Sequence, residues 1–193
     1  NVFFTLTPWL LMFLIPVIGM RSFSDEIRSG TLELLLTKPI GLWNLVIGKF
    51  LGGFFLLLFA LLPTLVYFIA INELKVDNAS VDWGSTFSGY LGLLFLGSGF
   101  LSISIFSSLL SRNQVTGFLV ATLIIFFQFY LWSGIADLSQ NALVYNIINE
   151  IGMQEHYYSM SLGVIAIKDL IYFIGLNSFF LYSCTFLLKQ IKR

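Results

Sequence analysis

The chain has 193 residues, 58% of them hydrophobic and 10% charged, with mean hydropathy +0.90 and a formal net charge of zero. A water-soluble domain carries roughly 25% charged residues, so this composition excludes a fully solvated surface. The charge balance excludes a nucleic-acid-binding face, and the single cysteine, Cys184, excludes an internal disulfide.

Crossing a hydrocarbon core of ~30 Å takes about 20 apolar residues in a helix. Five runs meet that length, at about 2–20, 45–71, 87–110, 115–134 and 170–188. They predict an all-α, polytopic integral membrane bundle, one transmembrane domain over 1–193. Asn1 is followed at once by an apolar run with no basic n-region or cleavage motif. The expectation is therefore that further sequence precedes it and that the full protein has six spans.

The first run contains Pro8 and Pro16, and the second contains Pro63. Neighbouring helices can satisfy the backbone groups that proline frees, so kinks are expected rather than breaks. Between these runs lies the polar segment 22–42. Ser22 and Asp25 have capping-box spacing, and Pro39 with Gly41 supplies a stop. On a continuous helix Glu26, Ser29, Gly30, Glu33 and Thr37 share one face, and Ile27, Thr31, Leu34 and Leu35 share another. The reading is an amphipathic helix broken near Gly30, its carboxylates turned toward cations of a partner.

Lys49, at the start of the second run, reads as a snorkelling lysine. The 72–86 loop carries the turn signals Asp77-Asn78 and Asp82-Trp83-Gly84. In the third run Gly97-Ser98-Gly99 resembles a serine nucleophile flanked by glycines, but small residues at a helix crossing explain it better. Arg112 sits in the tight Ser111–Gln114 turn. Gln128 and Asn177, the clearest polar groups at membrane depth, read as interhelical hydrogen-bonding residues.

The 135–169 segment is half apolar. Val144, Ile147, Ile148 and Ile151 recur at helical spacing, too briefly to span, so a helix in the interface or dipping into the bundle is expected. His156, the sole histidine, cannot make a histidine-rich metal site and reads as a structural hydrogen-bonding residue.

Lysine and arginine placement sets the orientation. Arg21, Arg28, Lys38, Lys49, Arg112, Lys189, Lys192 and Arg193 fall on one side, and only Lys75 and Lys168 on the other. The rule puts the 22–42 segment and the C-terminus in the cytoplasm. No phosphate loop of the G-x-x-x-x-G-K-[ST] form is present, so the chain is not expected to bind ATP in that way.

The run from Glu26 to Pro39, with its Gly30-Thr31 pair and terminal proline in order, resembles the signature loop of type-2 ABC exporter permeases. More narrowly, the chain is similar over nearly its whole length to the GldF-type gliding-motility permeases of Bacteroidetes. The matching stretches are 16–24, 26–39, 48–52, 82–92, 111–114, 156–165 and 169–173; Leu162, Ala166 and Lys168 depart from that pattern.

The resemblance implies a non-enzymatic permease subunit in a bacterial inner membrane, with no metal or cofactor of its own. ATP and Mg would be bound on a partner ATPase. A second permease copy or related chain, an auxiliary membrane protein and the lipid bilayer complete the implied partners, and no nucleic acid is among them. Asp25, Glu26, Arg28, Gly30, Thr31, Glu33, Leu36, Thr37 and Pro39 would form the ATPase-coupling interface. Ile147, Ile151, His156 and Tyr157 would belong to an outer gate. General export of a drug, an ion or a metal-maturation product, and a non-transporting membrane scaffold, are the alternative functions.

Overall fold

A computed structural model describes residues 2–73 and 82–192. The helices are α1 (Val2–Gly19), α2 (Arg21–Ser29), α3 (Thr31–Thr37), α4 (Leu42–Glu73), α5 (Trp83–Leu110), α6 (Gln114–Phe126), α7 (Trp132–Asp137), α8 (Ala142–Asn149), α9 (Met153–Ser161) and α10 (Ile167–Ile191). A π-helical turn, Phe127–Leu131, joins α6 to α7 without interrupting the rod. No strand occurs among the described residues. Five helical stretches are long and apolar enough to cross a membrane: Val2–Ser29, Leu42–Phe68, Trp83–Leu110, Gln114–Asp137 and Ile167–Ile191. The protein is an all-α polytopic membrane bundle, as its composition predicts.

α5 is the hub. It is buried along most of its length, whereas α4, α6 and α10 bury one side and expose the other. Lipid tails are as apolar as leucine, so helices associate in a bilayer through close packing and hydrogen bonds rather than hydrophobic exclusion. α5 suits that role because small residues line it. A Cβ on Gly97 would come within 2.5 Å of Leu57 Cδ2, one on Gly89 within 2.6 Å of the Phe4 ring, and one on Gly99 within 2.8 Å of Met153 Cε. Four of its serines, Ser98, Ser102, Ser104 and Ser108, turn their hydroxyls onto their own helix: Ser98 donates to the Phe95 carbonyl at 2.7 Å and Ser104 to Phe100 at 2.6 Å. Such back-bonding satisfies a polar group without a partner helix. From the other side Gly19 of α1 approaches, where a Cβ would meet Ser104 Cβ at 2.3 Å.

The bundle has two distinct ends. At one, α2 continues the first span and packs against the third and fourth, and α3 follows it. At the other, α8 and α9 cap the bundle, and the Phe3, Phe4, Phe68 and Tyr90 rings pack with centroids 5.3–6.0 Å apart. Asp82 caps α5 there, accepting from the Gly84 and Ser85 amides at 3.0 and 3.2 Å; the helix thus starts at Trp83, earlier than the hydrophobic run at 87 suggests. Lys75 and the Asp77-Asn78 turn signal lie outside the described residues.

Candidate functional site

The Gly30 end departs from the sequence reading in its start. No capping box forms at Ser22: Met20 precedes α2 in right-handed helical geometry without a side-chain cap, and the helix runs on from the first span. Its N–H groups are already engaged, because the Met20 amide donates to the Pro16 carbonyl at 2.8 Å. The break at Gly30 is real. Gly30 adopts φ +72°, the left-handed region that glycine enters without penalty, and its N–H donates to the Ile27 carbonyl at 3.3 Å.

That left-handed residue rotates α3 relative to α2, so a single 3.6-residue wheel does not describe both. In α3, Leu32 and Leu36 turn inward and are buried, while Glu33 and Leu34 face out, Leu34 at 67% exposure. Lys38 then takes the extended geometry (φ −65°, ψ 148°) required before Pro39, which ends the element.

The acidic residues of α2 are engaged within the chain rather than offered outward. Glu26 Oε1 lies 2.6 Å from Lys49 Nζ on α4, both side chains largely covered. Lys49 also donates to the Ser22 carbonyl and lies over the Phe23 ring, 4.6 Å from its centroid. Lys49 is thus a clamp on α2 and not a snorkelling lysine, with the ring adding cation–π attraction. Asp25 Oδ1 accepts from Gln114 Nε2 at the start of α6. Each pair ties α2 to a different span.

Of the residues predicted for the coupling surface, the structure leaves Arg28, Gly30, Thr31, Glu33, Thr37 and Pro39 exposed. It turns Asp25, Glu26 and Leu36 toward the bundle. Lys49 and Gln114 are the partners that sequence reading missed. Lys49 lies near the start of an apolar helix and Gln114 opens one, positions where a polar residue resembles a boundary marker.

The opposite end holds a buried polar network. His156 on α9 and Asp169 in the first turn of α10 are 4% and 0% exposed, with Nδ1 and Oδ1 2.7 Å apart. His156 Nε2 lies 2.9 Å from the Glu150 carbonyl. A carbonyl only accepts, so Nε2 carries a hydrogen, and one further proton is shared between Nδ1 and Oδ1. The imidazole stacks on Tyr172 at 4.0 Å, and the Tyr172 hydroxyl donates to the Ile151 carbonyl at 2.7 Å.

Gln128, in the π-helical turn, donates to the same carbonyl at 3.1 Å and to the Tyr172 oxygen at 3.0 Å, while accepting from Trp132 Nε1 at 3.1 Å. Tyr157 donates to the Phe4 carbonyl at 2.6 Å, and burial pushes its phenol pKa up. The four predicted gate residues therefore separate. His156 and Tyr157 fix α9 inside the bundle, whereas Ile147 and Ile151 stay exposed at 65% and 42%.

At membrane depth, Asn177 donates to Ser98 Oγ at 2.8 Å, joining α10 to α5 as an interhelical hydrogen bond. Ser98 is thereby committed to packing; the His156 ring is held by Asp169 and Glu150, so the Gly97-Ser98-Gly99 triplet has no histidine base at hand.

A bundle with five helical stretches long and apolar enough to cross a membrane, a broken helix at one end and a pinned helical cap at the other, defines a polytopic integral membrane protein. The profile of the family described as "ABC-2 family transporter protein" matches residues 3–183, and the chain belongs to that family. No curated protein matches it. Membership makes it the multi-pass membrane component of an ABC transporter, not the catalytic one.

Proposed function

We propose that the chain is the permease subunit of an ATP-driven exporter of the type-2 class, in a bacterial inner membrane, with α2, α3 and the C-terminus in the cytoplasm. One observation carries the coupling reading. The α2–Gly30–α3 element exposes Arg28, Thr31, Glu33, Leu34 and Thr37 outward while Glu26 and Asp25 bind it to α4 and α6. A push on the exposed side is thereby delivered to two spans at once.

ATP and Mg are bound on a separate ATPase, and the two nucleotide states act through their different contacts with α3, which is what shifts a two-state equilibrium. A second permease, identical or related, completes the pathway, and Ile147 and Ile151 stand at its outer mouth. The association with gliding motility or linked secretion, and with an auxiliary membrane protein, is supported by the resemblance across 16–24, 26–39, 82–92 and 156–165.

The test is hydrolysis in proteoliposomes with the partner ATPase. Glu33→Lys, which touches no internal pair, is expected to leave insertion intact and lower permease-stimulated hydrolysis at least about tenfold, the loss of ~1.4 kcal/mol of interface energy. Hydrolysis equal to wild type in this variant and in Leu34→Asp overturns the coupling assignment.

A further inference from the structure

Beneath α2 and α3 lies a cavity of about 560 Å³, within the range of about 300–1,000 Å³ that holds a drug-sized molecule. Its walls are of two kinds. Leu109 and Leu110 close the last turn of α5, and Ile191 ends α10; these, with Ile27 and the buried Leu32, form an aliphatic side continuous with the ends of the membrane spans. The other side carries Arg28, Arg112 and Glu33.

Among the described residues none of these three charged groups has a hydrogen-bond or ion-pair partner. All three are exposed. Two uncommitted guanidinium groups and one uncommitted carboxylate thus line a single cavity at the edge of the membrane spans.

We propose that this cavity seats an aminophospholipid. Arg28 and Arg112 present forked donors suited to the phosphodiester. Glu33 presents an acceptor to the ammonium a few bonds away, and the acyl chains leave along Leu109, Leu110 and Ile191 into the bilayer. The charge count selects the headgroup. A lipid carrying only phosphate leaves Glu33 facing an anion, whereas phosphoethanolamine, with one negative and one positive group, complements all three side chains. A soluble anion makes no use of the aliphatic wall. An acidic protein segment would meet Glu33 with like charge.

The lipid would hold α2 and α3 at a set height against α5 and α10. Lipid binding is read without an ATPase, and Leu34→Asp, outside the cavity lining, tests the coupling reading by itself, so failure here and failure of that reading are separately visible.

The experiment titrates the purified full chain in detergent with dihexanoyl phosphatidylethanolamine, dihexanoyl phosphatidylglycerol and inorganic phosphate, read by native mass spectrometry and calorimetry. Saturable binding of the ethanolamine lipid is expected, weakened about tenfold or more in R28Q/R112Q through loss of charge-assisted bonds. Glu33→Gln is expected to abolish the preference for ethanolamine over glycerol headgroups while the phosphate contact remains. The lysine pair R28K/R112K serves as the conservative control and retains part of the affinity.

Three results overturn the proposal. The ethanolamine lipid binds R28Q/R112Q as it binds wild type. Inorganic phosphate binds as tightly as the lipid, marking a small-anion site. The partner ATPase shields Arg28 and Arg112 from phenylglyoxal while the lipid neither shields nor competes, marking a protein interface.

Discussion

Two side-chain pairs and one glycine decide how each end of the bundle is held. Removing Lys49 leaves Glu26 covered beside an apolar ring with no cation. Glu26 Oε2 already lacks a partner among the described residues. Lys49→Met is therefore expected to destabilise by about 1–3 kcal/mol, the cost of leaving a covered polar group unsatisfied. Glu26→Leu in the same chain should recover part of that loss, since replacing both partners is far cheaper than orphaning one. Thermal unfolding of the two single variants and the double variant in detergent measures this coupling; strictly additive losses contradict the clamp.

At the opposite end, His156→Ala strands Asp169, which is 0% exposed and whose Oδ2 already has no partner among the described residues. The expected cost is about 1–3 kcal/mol for a buried polar group left without its partner, seen as faster proteolysis between α8 and α10. Gly30→Ala meets no neighbour within 4 Å, so its expected penalty is the left-handed backbone alone, about 1 kcal/mol.

At the scale of elements, packing distance against α5 sets tolerance. Gly19→Leu would drive a Cβ to 2.3 Å from Ser104 Cβ, with Ser104 backbone at 3.2 Å, whereas Gly175 on α10 has nothing within 4 Å. Gly19→Leu should lower the melting temperature through overpacking of about 1–3 kcal/mol or more, and Gly175→Leu should leave it within the range of an ordinary surface change. Equal effects at the two sites would contradict the close α1–α5 crossing.

The spans themselves were legible because each is a long apolar run bounded by polar residues. Three features were not. α2 continues from α1 because helical residues flow through Met20 and Arg21 without a break, and Ser22 and Asp25 only have the spacing of a cap. Gly30 resets the helical register, so Leu32 and Leu36 take the buried side that a continuous wheel gives to Leu34 and Leu35. The π-helical turn at Phe127–Leu131 lies in an unbroken hydrophobic stretch, where one extra residue in a turn leaves no compositional trace.

For the whole molecule, the family follows from the match over residues 3–183. The candidate coupling surface was legible in outline, from a charged, proline-terminated segment between two spans. Which of its residues face outward was not. That depends on Lys49 and Gln114, which lie 23 and 89 residues along the chain from Glu26 and Asp25. The His156–Asp169 pair, 13 residues apart, joins two helices that no local pattern links.

The Lys49–Glu26 pair holds α2 to α4 at one end of the bundle, and the His156–Asp169 pair holds α9 to α10 at the other. The most direct test is affinity purification of the full-length protein in mild detergent, with mass spectrometry of what accompanies it. Recovery of an ABC ATPase from wild type is expected, and its loss from a chain carrying both Glu33→Lys and Leu34→Asp while the bundle stays folded. Recovery of no ATPase from wild type, under conditions that preserve other membrane complexes, would contradict it.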